Sequence, residues 1–414
     1  MYSLRLCLKS FFVFFLLSCQ TVVEISDNES DMTESTDQQS EVKEKEIIVG
    51  ARRIEELIKI IDTRTVGIVA NQTSLVNETH LVDSLLSREV SIRAVFSPEH
   101  GFRGSADAGE EISSDVDTRT GLPIISLYGS NKKPKESQLE GIELMIFDLQ
   151  DVGARFYTYI STLHYVMQAC AEMNIPLIIL DRPNPNGQVI DGPVLKKGFE
   201  SFVGMHPIPV THAMTIGEYG KMINGQGWLG EDLECELQVL ECLNYAHYMD
   251  YSIPVPPSPN LRSDEAISLY PSLCFFEGTI ISVGRGTDNP FEIFGHPELR
   301  NIERKYNYVF VPTSGYGAKS PKLEGEECYG KNLVETGREI PDGRIRLDWL
   351  IDAYNDLGDE DFFENKGKFF DKLAGSDVLR RQIIEGQTED EIRESWEEDI
   401  NKFKRIRKKY LLYD

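Results

Sequence analysis

The residues best suited to chemistry lie in the stretch 96–104, FSPEHGFRG, where an acid, an imidazole and two glycines share one turn. This turn follows the apolar run SIRAVF, which is typical of a buried strand. Ligands of open α/β sheets bind just beyond the carboxyl ends of the strands. Glu99 is therefore our first candidate for a general acid, and we expect burial beside Phe96 and Phe102 to favour its protonated form. The alternative for Glu99 is an acid that caps a helix or forms a salt bridge.

Three further predicted strands also end in polar clusters. VGIVA is followed by Asn71, LMIF by a run that contains Asp151, and PLIIL by Asp181. One such cluster alone is typical of a solvated turn, because a connection from strand to helix needs little more than a cap and a glycine. Four of them at one sheet edge predict a site.

These residues must be positioned by an α/β fold. Short apolar runs alternate with helical segments from Ile47 onward, which indicates a parallel sheet with helices on its faces. We predict a catalytic domain over residues 47–250 and a smaller α+β C-terminal domain over residues 251–414 that completes the cleft. The proline-rich segment 254–260, PVPPSPN, is the stiff link between them.

The predicted second domain carries a polar loop of its own, Gly284-Arg285-Gly286-Thr287. Two glycines let the backbone approach a ligand while the guanidinium reaches out. The run is not a G-x-G-x-x-G fingerprint and does not open a βαβ unit, so we predict no dinucleotide site. The chain also has no G-x-S-x-G elbow and no H-E-x-x-H pair, and we predict no cofactor and no metal ion.

Charge and the N-terminus limit the partners and the location. A formal net charge of -25 argues against binding to nucleic acid. Residues 1–18 are typical of a signal peptide, and LLSC resembles a bacterial lipobox, so that Cys19 would be the acylated first residue. Residues 19–46 are acidic and almost without apolar side chains, which predicts a disordered tether. We expect a lipid-anchored protein on the periplasmic side of the cell envelope, with membrane contact through Cys19 only.

Two alternatives to this location are open: an ordinary signal peptide with a chance cysteine, and display on the cell surface. The five cysteines beyond residue 19 are an odd number without C-x-x-C spacing, which indicates buried thiols; a disulfide between Cys235 and Cys242 is the alternative.

Eight strings in one order resemble the NamZ-type exo-β-N-acetylmuramidases, a glycoside hydrolase family long described as a domain of unknown function. They are FSPEHGFRG, TGLPIISLYG, FDLQDVGARFYTYI, LDRPNPNG, SFVG, PSPNL, EGTIISVGRGTDNPFE and IFGHPEL. The resemblance runs from about Ile47 to the C-terminus. It implies a Rossmann-like N-terminal domain, a smaller C-terminal domain and a site between them. It also implies release of terminal N-acetylmuramic acid from the non-reducing ends of peptidoglycan fragments.

Two departures from the family pattern are visible. PSPNL runs into Arg262-Ser263-Asp264, and His212 is followed by Ala213 where we expect glycine. Neither departure touches a residue that we predict to be catalytic.

Glycosidic cleavage generally needs one protonated carboxyl group and usually a second carboxylate as base or nucleophile. Glu99 fits the role of the acid. Asp151, Asp181 and Glu277 are candidates for the second carboxylate, and we favour Asp151. Asp181 beside Arg182 is equally consistent with an ion pair that holds a turn.

The lactyl carboxylate of muramic acid calls for a bidentate arginine. The candidates for binding this carboxylate are Arg155, Arg182 and Arg285, and Thr287 lies in the same loop as Arg285. The candidates for binding the hydroxyl and N-acetyl groups of the sugar are Tyr157, Asn184 and His100. His100 alternatively orients Glu99.

Two other classes of function remain beside the glycosidase. One is a non-catalytic envelope lipoprotein that binds peptidoglycan. The other is an esterase or amidase that acts on the same polymer, for which the chain has no nucleophile elbow. The sequence predicts neither the stereochemical course nor the oligomeric state.

Overall fold

The computed structural model describes residues 45–99, 101–103, 115–302, 304–334, 344–358 and 361–414. The predicted signal peptide, Cys19 with its lipid, the tether up to residue 44 and His100 lie outside the described residues, so the expectations about them stay predictions. No helix in the described ranges is long and apolar enough to cross a membrane.

The strands of the described residues are short. They are β1 Val66–Ala70, β2 Leu75–Val76, β3 Thr79–His80, β4 Ile92–Ser97, β5 Asp115–Val116, β6 Pro123–Ser126, β7 Leu144–Asp148, β8 Leu177–Leu180, β9 Ile190–Asp191, β10 Thr211–His212, β11 Leu237–Leu240, β12 Ile293–His296, β13 Tyr308–Phe310 and β14 Cys328–Asn332.

The α-helices vary from one turn to five. They are α1 Ile54–Ile61, α2 Leu81–Leu86, α3 Glu136–Leu139, α4 Tyr159–Met173, α5 Ile216–Gly225, α6 Asp264–Leu273, α7 Asp348–Leu357, α8 Lys368–Ala374, α9 Val378–Ile384 and α10 Glu389–Arg407. A 3₁₀ helix, Cys274–Gly278, continues α6.

Seven strands form the main sheet in the order β11-β8-β7-β1-β4-β6-β5. Neighbours from β11 to β6 run parallel, and β5 joins β6 in the antiparallel sense. The predicted parallel sheet is therefore confirmed, with one antiparallel strand added at its edge. The strand at the other edge is β11.

Both faces of this sheet are covered because successive residues of a strand point to opposite sides. Val69 of β1 and Phe147 of β7 belong to one core together with side chains of α4 and α5. Ile68 and Ile146, their neighbours in sequence, belong to a second core with side chains of α1 and α2. All residues of β1 and β7 are buried, as the apolar strings VGIVA and LMIF predict. The prediction of helices on both faces is confirmed.

The C-terminal part is smaller and of α+β type. Its antiparallel sheet has the order β12-β14-β13, and helices α7 to α10 follow it in the chain. Lys45–Asp414 forms one compact unit, so the predicted domain boundary at residues 250 and 251 stays a prediction.

Candidate active site

The four polar strand exits come to one edge of the sheet. β8, β7, β1 and β4 are consecutive neighbours and run parallel, so the residues after their carboxyl ends lie side by side. Those residues are Asp181, Asp151, Asn71 and Glu99. They differ in exposure: Glu99 is half-buried, whereas the other three are buried.

A cavity of about 760 Å³ opens at this edge. The part of its wall that comes from the sheet side includes Glu99, Tyr128, the run of residues 156–159, Phe202 and Val203. The rest of the lining comes from later parts of the chain and includes Ser258, Leu261, Tyr270, Glu277, Arg285, Phe291, residues 317–322 and Phe369. A concave site with aromatic walls and a few converging charges is typical of a small-molecule pocket. Aromatic rings of this kind suit the apolar faces of a sugar.

Glu99 is held where helix α4 begins. Thr158 is the residue before the first turn of α4, and its hydroxyl donates a hydrogen bond to Glu99 Oε2 at 3.2 Å. Gly101 has a φ of 82°, in the left-handed region that glycine adopts easily, so the chain turns sharply after the acid. Phe96 and Phe102 are buried on either side of this turn, as the sequence predicts. The result is a carboxyl group that faces the cavity from a fixed position.

Tyr157 and Tyr159 form the floor beside Glu99. Their rings are 4.7 Å apart, and both hydroxyls donate to the carbonyl of Pro257, at 2.8 and 3.3 Å. Asn71 Nδ2 in turn donates to the Tyr159 hydroxyl at 2.8 Å. Burial raises the pKa of Tyr157 well above its ordinary value, so the hydroxyl stays protonated and keeps its bond to the carbonyl. Tyr157 therefore lines the cavity as predicted, but its hydroxyl already has a partner.

Glu277 and Arg285 form an ion pair within the cavity lining. Arg285 Nε and Nη2 donate to the two carboxylate oxygens of Glu277 at 2.6 and 3.0 Å, which is the bidentate geometry. The guanidinium also lies 5.0 Å from the ring centroid of Phe291. Burial alone would lower the pKa of Arg285, but the Glu277 carboxylate outweighs burial and the pKa is raised. Nη1 of Arg285 has no hydrogen bond among the described residues, so one edge of the guanidinium is open to a ligand.

Asp151 lies outside the cavity lining. Its side chain is 5% exposed, Oδ2 accepts a hydrogen bond from Gly153 N at 2.7 Å, and Oδ1 has no partner among the described residues. Burial raises the pKa of Asp151 to about 7. His212 Nε2 is 4.0 Å from Oδ2 and is equally without a hydrogen bond in the described part of the chain. The structure thus places our favoured second carboxylate behind the cavity wall.

Asp181 and Arg182 hold the sheet edge together. Asp181 is fully buried, and its oxygens accept from the Thr215 and Tyr413 hydroxyls and from the amides of Arg182 and Gly217. Arg182 binds Asp148 in a bidentate pair at 2.6 and 3.0 Å. The predicted ion pair that holds the turn exists, but its acid is Asp148. Neither Asp181 nor Arg182 reaches the cavity.

Three more candidates lie elsewhere than the sequence predicts. Arg155 is fully buried and donates to the carbonyls of Pro193, Ile208 and Leu373, so its guanidinium has no access to a substrate carboxylate. Asn184 is buried, with Nδ2 on the Met214 carbonyl and Oδ1 on the Asn186 amide. Thr287 donates to the Gly284 carbonyl and lines a neighbouring pocket instead of the cavity. Long polar side chains at strand exits resemble ligand-binding groups in sequence, but here they satisfy buried backbone carbonyls.

Sequence reasoning missed Thr158, Tyr128 and Lys322 as cavity residues. For Thr158 a signal was present, because it belongs to the polar run between β7 and α4, although its hydroxyl donates to Glu99 and forms no capping hydrogen bond. For Lys322 the sequence contains no such signal. Its Nζ forms an ion pair with Glu364 Oε2 at 2.9 Å and donates to the Thr279 carbonyl, and both partners are brought near it only by the tertiary fold.

Ala213 has the backbone geometry of a glycine. It stands where we expect glycine from the family pattern, and its φ of 50° is in the left-handed region. Arg407 donates to its carbonyl, which holds the turn in place. The turn is therefore kept although the residue differs.

Comparison with known proteins agrees with this architecture. Residues 66–265 match the family model of the N-terminal part of exo-β-N-acetylmuramidase NamZ, and residues 268–413 match that of its C-terminal part. The peptidoglycan β-N-acetylmuramidase NamZ of Bacillus subtilis is 39% identical over 373 residues, which cover 86% of this chain and 88% of that protein.

Two crystal structures of DUF1343-family proteins from Bacteroides fragilis are similar in fold. One has a TM-score of 0.81 at 44% identity and the other a TM-score of 0.74 at 28% identity. In each case the alignment covers 89% of this chain and 99% of the other. Taken with the two family matches, these similarities show that the chain belongs to the exo-β-N-acetylmuramidase NamZ family.

Proposed function

We propose that the protein is an exo-acting glycoside hydrolase that releases terminal N-acetylmuramic acid from the non-reducing ends of peptidoglycan fragments by acid-assisted cleavage. The observation that carries the proposal is the position of Glu99, a half-buried carboxyl group at the wall of an aromatic cavity in a chain of this family. A cavity of about 760 Å³ has the size of pockets that hold small ligands.

In this proposal Glu99 donates its proton to the glycosidic oxygen as the bond to the sugar breaks. The sugar passes through an oxocarbenium-like transition state, and the leaving group departs as a neutral alcohol. Water completes the hydrolysis, because its oxygen bonds to the anomeric carbon and its proton passes to a carboxylate of the site. Thr158 keeps the carboxyl group at one place in the cavity. A proton donor in a fixed position contributes about 10²–10⁴-fold to such a step.

Glu277 is the second carboxylate that we assign, in place of Asp151. Glu99 and Glu277 are the two carboxylates among the described residues of the cavity lining. Its bidentate pair with Arg285 holds the Glu277 carboxylate in one orientation. The open Nη1 edge of Arg285 is suited to the lactyl carboxylate of the substrate.

The proposal is tested with a chromogenic glycoside of N-acetylmuramic acid and the full chain. We expect the parent protein to release the sugar and the variant E99Q to lower kcat by at least about 100-fold, because glutamine has no acidic proton. E277Q is expected to lower kcat as well. The matched control is E385Q, which changes an exposed glutamate outside the cavity lining.

Three outcomes of this assay would each reject a part of the proposal. No release by the parent protein would reject the glycosidase. Equal kcat for E99Q and the parent would reject Glu99 as the acid, and equal kcat for E277Q would reject Glu277 as the second carboxylate.

We further propose that the enzyme acts in turnover of cell-wall fragments from a lipid anchor at Cys19 on the periplasmic side of the envelope. The lipobox-like LLSC and the acidic segment behind it support this location. Growth with a fatty-acid probe should label the parent protein and not C19A; labelling of C19A would refute the anchor.

A further inference from the structure

A second pocket of about 370 Å³ lies beside the cavity that contains Glu99. Ser258 belongs to the linings of both. The walls of this side pocket are Gln72, Arg103, Arg262, Tyr316 and parts of the proline-rich segment 255–259. A group attached to a sugar in the cavity would therefore enter the side pocket across Ser258.

The proline-rich segment between the cavity and the side pocket is fixed by hydrogen bonds on both of its sides. On the cavity side the Tyr157 hydroxyl donates to the Pro257 carbonyl at 2.8 Å, and on the other side Gln72 Nε2 donates to the same carbonyl at 3.2 Å. Asn260 Nδ2 donates to the Gly317 carbonyl at 2.7 Å and ties the wall to the loop that carries Tyr316. A site that is formed before its ligand arrives loses less entropy on binding.

The charge of the side pocket comes from Arg262. Arg103 is in a bidentate pair with Asp117 at 3.0 and 2.8 Å, so its charge is compensated. Arg262 is exposed, and its hydrogen bonds go to the carbonyls of Pro259 and Tyr316. No carboxylate within the described residues pairs with it or lines the pocket. Arg262 is therefore a cation of the pocket lining whose hydrogen bonds in the described part of the chain go to neutral carbonyls.

We propose that the side pocket binds a peptide carried by the muramic acid, with Arg262 on a carboxylate of that peptide. The inference rests on the proposed function and names its substrate class. A peptide on the lactyl group converts the lactyl carboxylate into a neutral amide and places a new carboxylate farther from the sugar. Arg285 in the cavity is placed to bind the lactyl carboxylate of a sugar without a peptide. Arg262 in the side pocket, on the other side of Ser258, is placed to bind the carboxylate of the peptide.

Binding to the full chain tests this assignment without turnover. Isothermal titration calorimetry compares N-acetylmuramic acid, N-acetylmuramoyl-L-alanyl-D-glutamate and the neutral diamide of that dipeptide ligand. We expect the parent protein to bind the charged dipeptide about tenfold more tightly than the diamide, because a charged hydrogen bond is lost in the diamide. R262Q should bind the two equally and should bind N-acetylmuramic acid within about twofold of the parent protein.

R262K and R381Q are the controls. R262K keeps a point charge and should retain part of the preference for the charged dipeptide. R381Q removes an exposed arginine outside both linings and should behave as the parent protein.

Three results would overturn the inference: a tenfold preference that survives in R262Q, no preference in the parent protein, or a loss for N-acetylmuramic acid as large as that for the dipeptide. The last result would place Arg262 on the lactyl carboxylate. Because the measurement needs no hydrolysis, a failure of the glycosidase assay rejects the proposed function without altering this result.

Discussion

At the scale of single residues, burial separates two carboxyl groups that leave neighbouring strands. Glu99 faces the cavity with a hydroxyl donor at 3.2 Å, whereas Asp151 is sealed behind the wall with one oxygen unpartnered among the described residues. Removal from water penalises the charged form of a carboxylate, which is the cause of the raised pKa of Asp151. Asp151 therefore affects stability more directly than it affects a sugar in the cavity.

The variant D151N tests this through the pH dependence of stability. The pKa of Asp151 is about 7 in the folded chain, against an ordinary value of 3.8. Between these values the folded state holds a proton that the unfolded state has lost. The contribution of Asp151 to the free energy of unfolding is thus full below pH 3.8 and is lost as the pH rises to 7. Asparagine does not titrate, so the stability of D151N relative to the parent should rise by about 1.4 kcal/mol per pH unit in this window.

Urea unfolding of both proteins at several pH values between these limits provides the measurement. Buried histidines act in the opposite direction in the same window; burial lowers the pKa of His212 to about 3, for example. Their contribution cancels when the two proteins are compared at the same pH. A difference between D151N and the parent that does not change with pH would show that Asp151 is ionised throughout.

At the scale of elements, the residue that caps helix α5 also forms a hydrogen bond with the edge of the main sheet. The Thr215 hydroxyl accepts from the Glu218 amide at 3.2 Å, and the Glu218 carboxylate accepts from the Thr215 amide at 3.0 Å, which forms a capping box. The same hydroxyl donates to Asp181 Oδ2 at 2.7 Å. One threonine thereby starts the helix and satisfies a fully buried acid after β8.

We expect T215V to lower the free energy of unfolding by about 3 kcal/mol. About 1 kcal/mol is the loss of the cap, and about 2 kcal/mol is the loss of a buried partner for Asp181. T388V at the start of α10 is the matched control, because Thr388 forms a capping box with Glu391 at an exposed site without a bond to a buried acid. Urea unfolding should show a loss of only about 1 kcal/mol for T388V. Equal losses for the two variants would contradict a role of the Asp181 bond.

At the scale of the whole molecule, residues 412 and 413 contact the edge of the main sheet formed by β8 and β11. The Tyr413 hydroxyl donates to Asp181 Oδ2 at 2.6 Å and accepts from the Cys242 amide at 2.8 Å. The Leu412 amide donates to Glu218 Oε1 at 2.8 Å. The last residues thus complete the hydrogen bonds of a sheet edge formed more than 160 residues earlier. We infer that the stability of the sheet depends on this C-terminal segment.

Y413F should lower the free energy of unfolding by about 2 kcal/mol, because it leaves the buried Cys242 amide without an acceptor and removes a donor from Asp181. The Tyr413 hydrogen bond lowers the pKa of Asp181, so its loss should also raise that pKa further above its ordinary value. Y248F, at a tyrosine that is 73% exposed, should leave stability within about 0.5 kcal/mol of the parent. Thermal or urea unfolding that ranks the two variants equally would refute the role of the C-terminal segment.

The sequence by itself determined the elements and the edge at which they present polar residues. The strings VGIVA, LMIF and PLIIL became three adjacent parallel strands because continuous apolar runs of this length are stable only when buried on both faces. Glu99 became a candidate from the sequence because it directly follows a predicted parallel strand, and ligands bind beyond the carboxyl ends of such strands.

Only the tertiary structure decided which of the polar residues at that edge face the cavity. Arg155, Arg182 and Arg285 look alike in sequence, but the partners of the first two are carbonyls and an acid from distant parts of the chain. Of the candidates for the second carboxylate, Glu277 lines the cavity and Asp151 does not, because exposure depends on what packs against a side chain, and local pattern does not encode it. Covalent neighbours fix where a strand ends; contacts between residues far apart in sequence fix what its last side chains can reach.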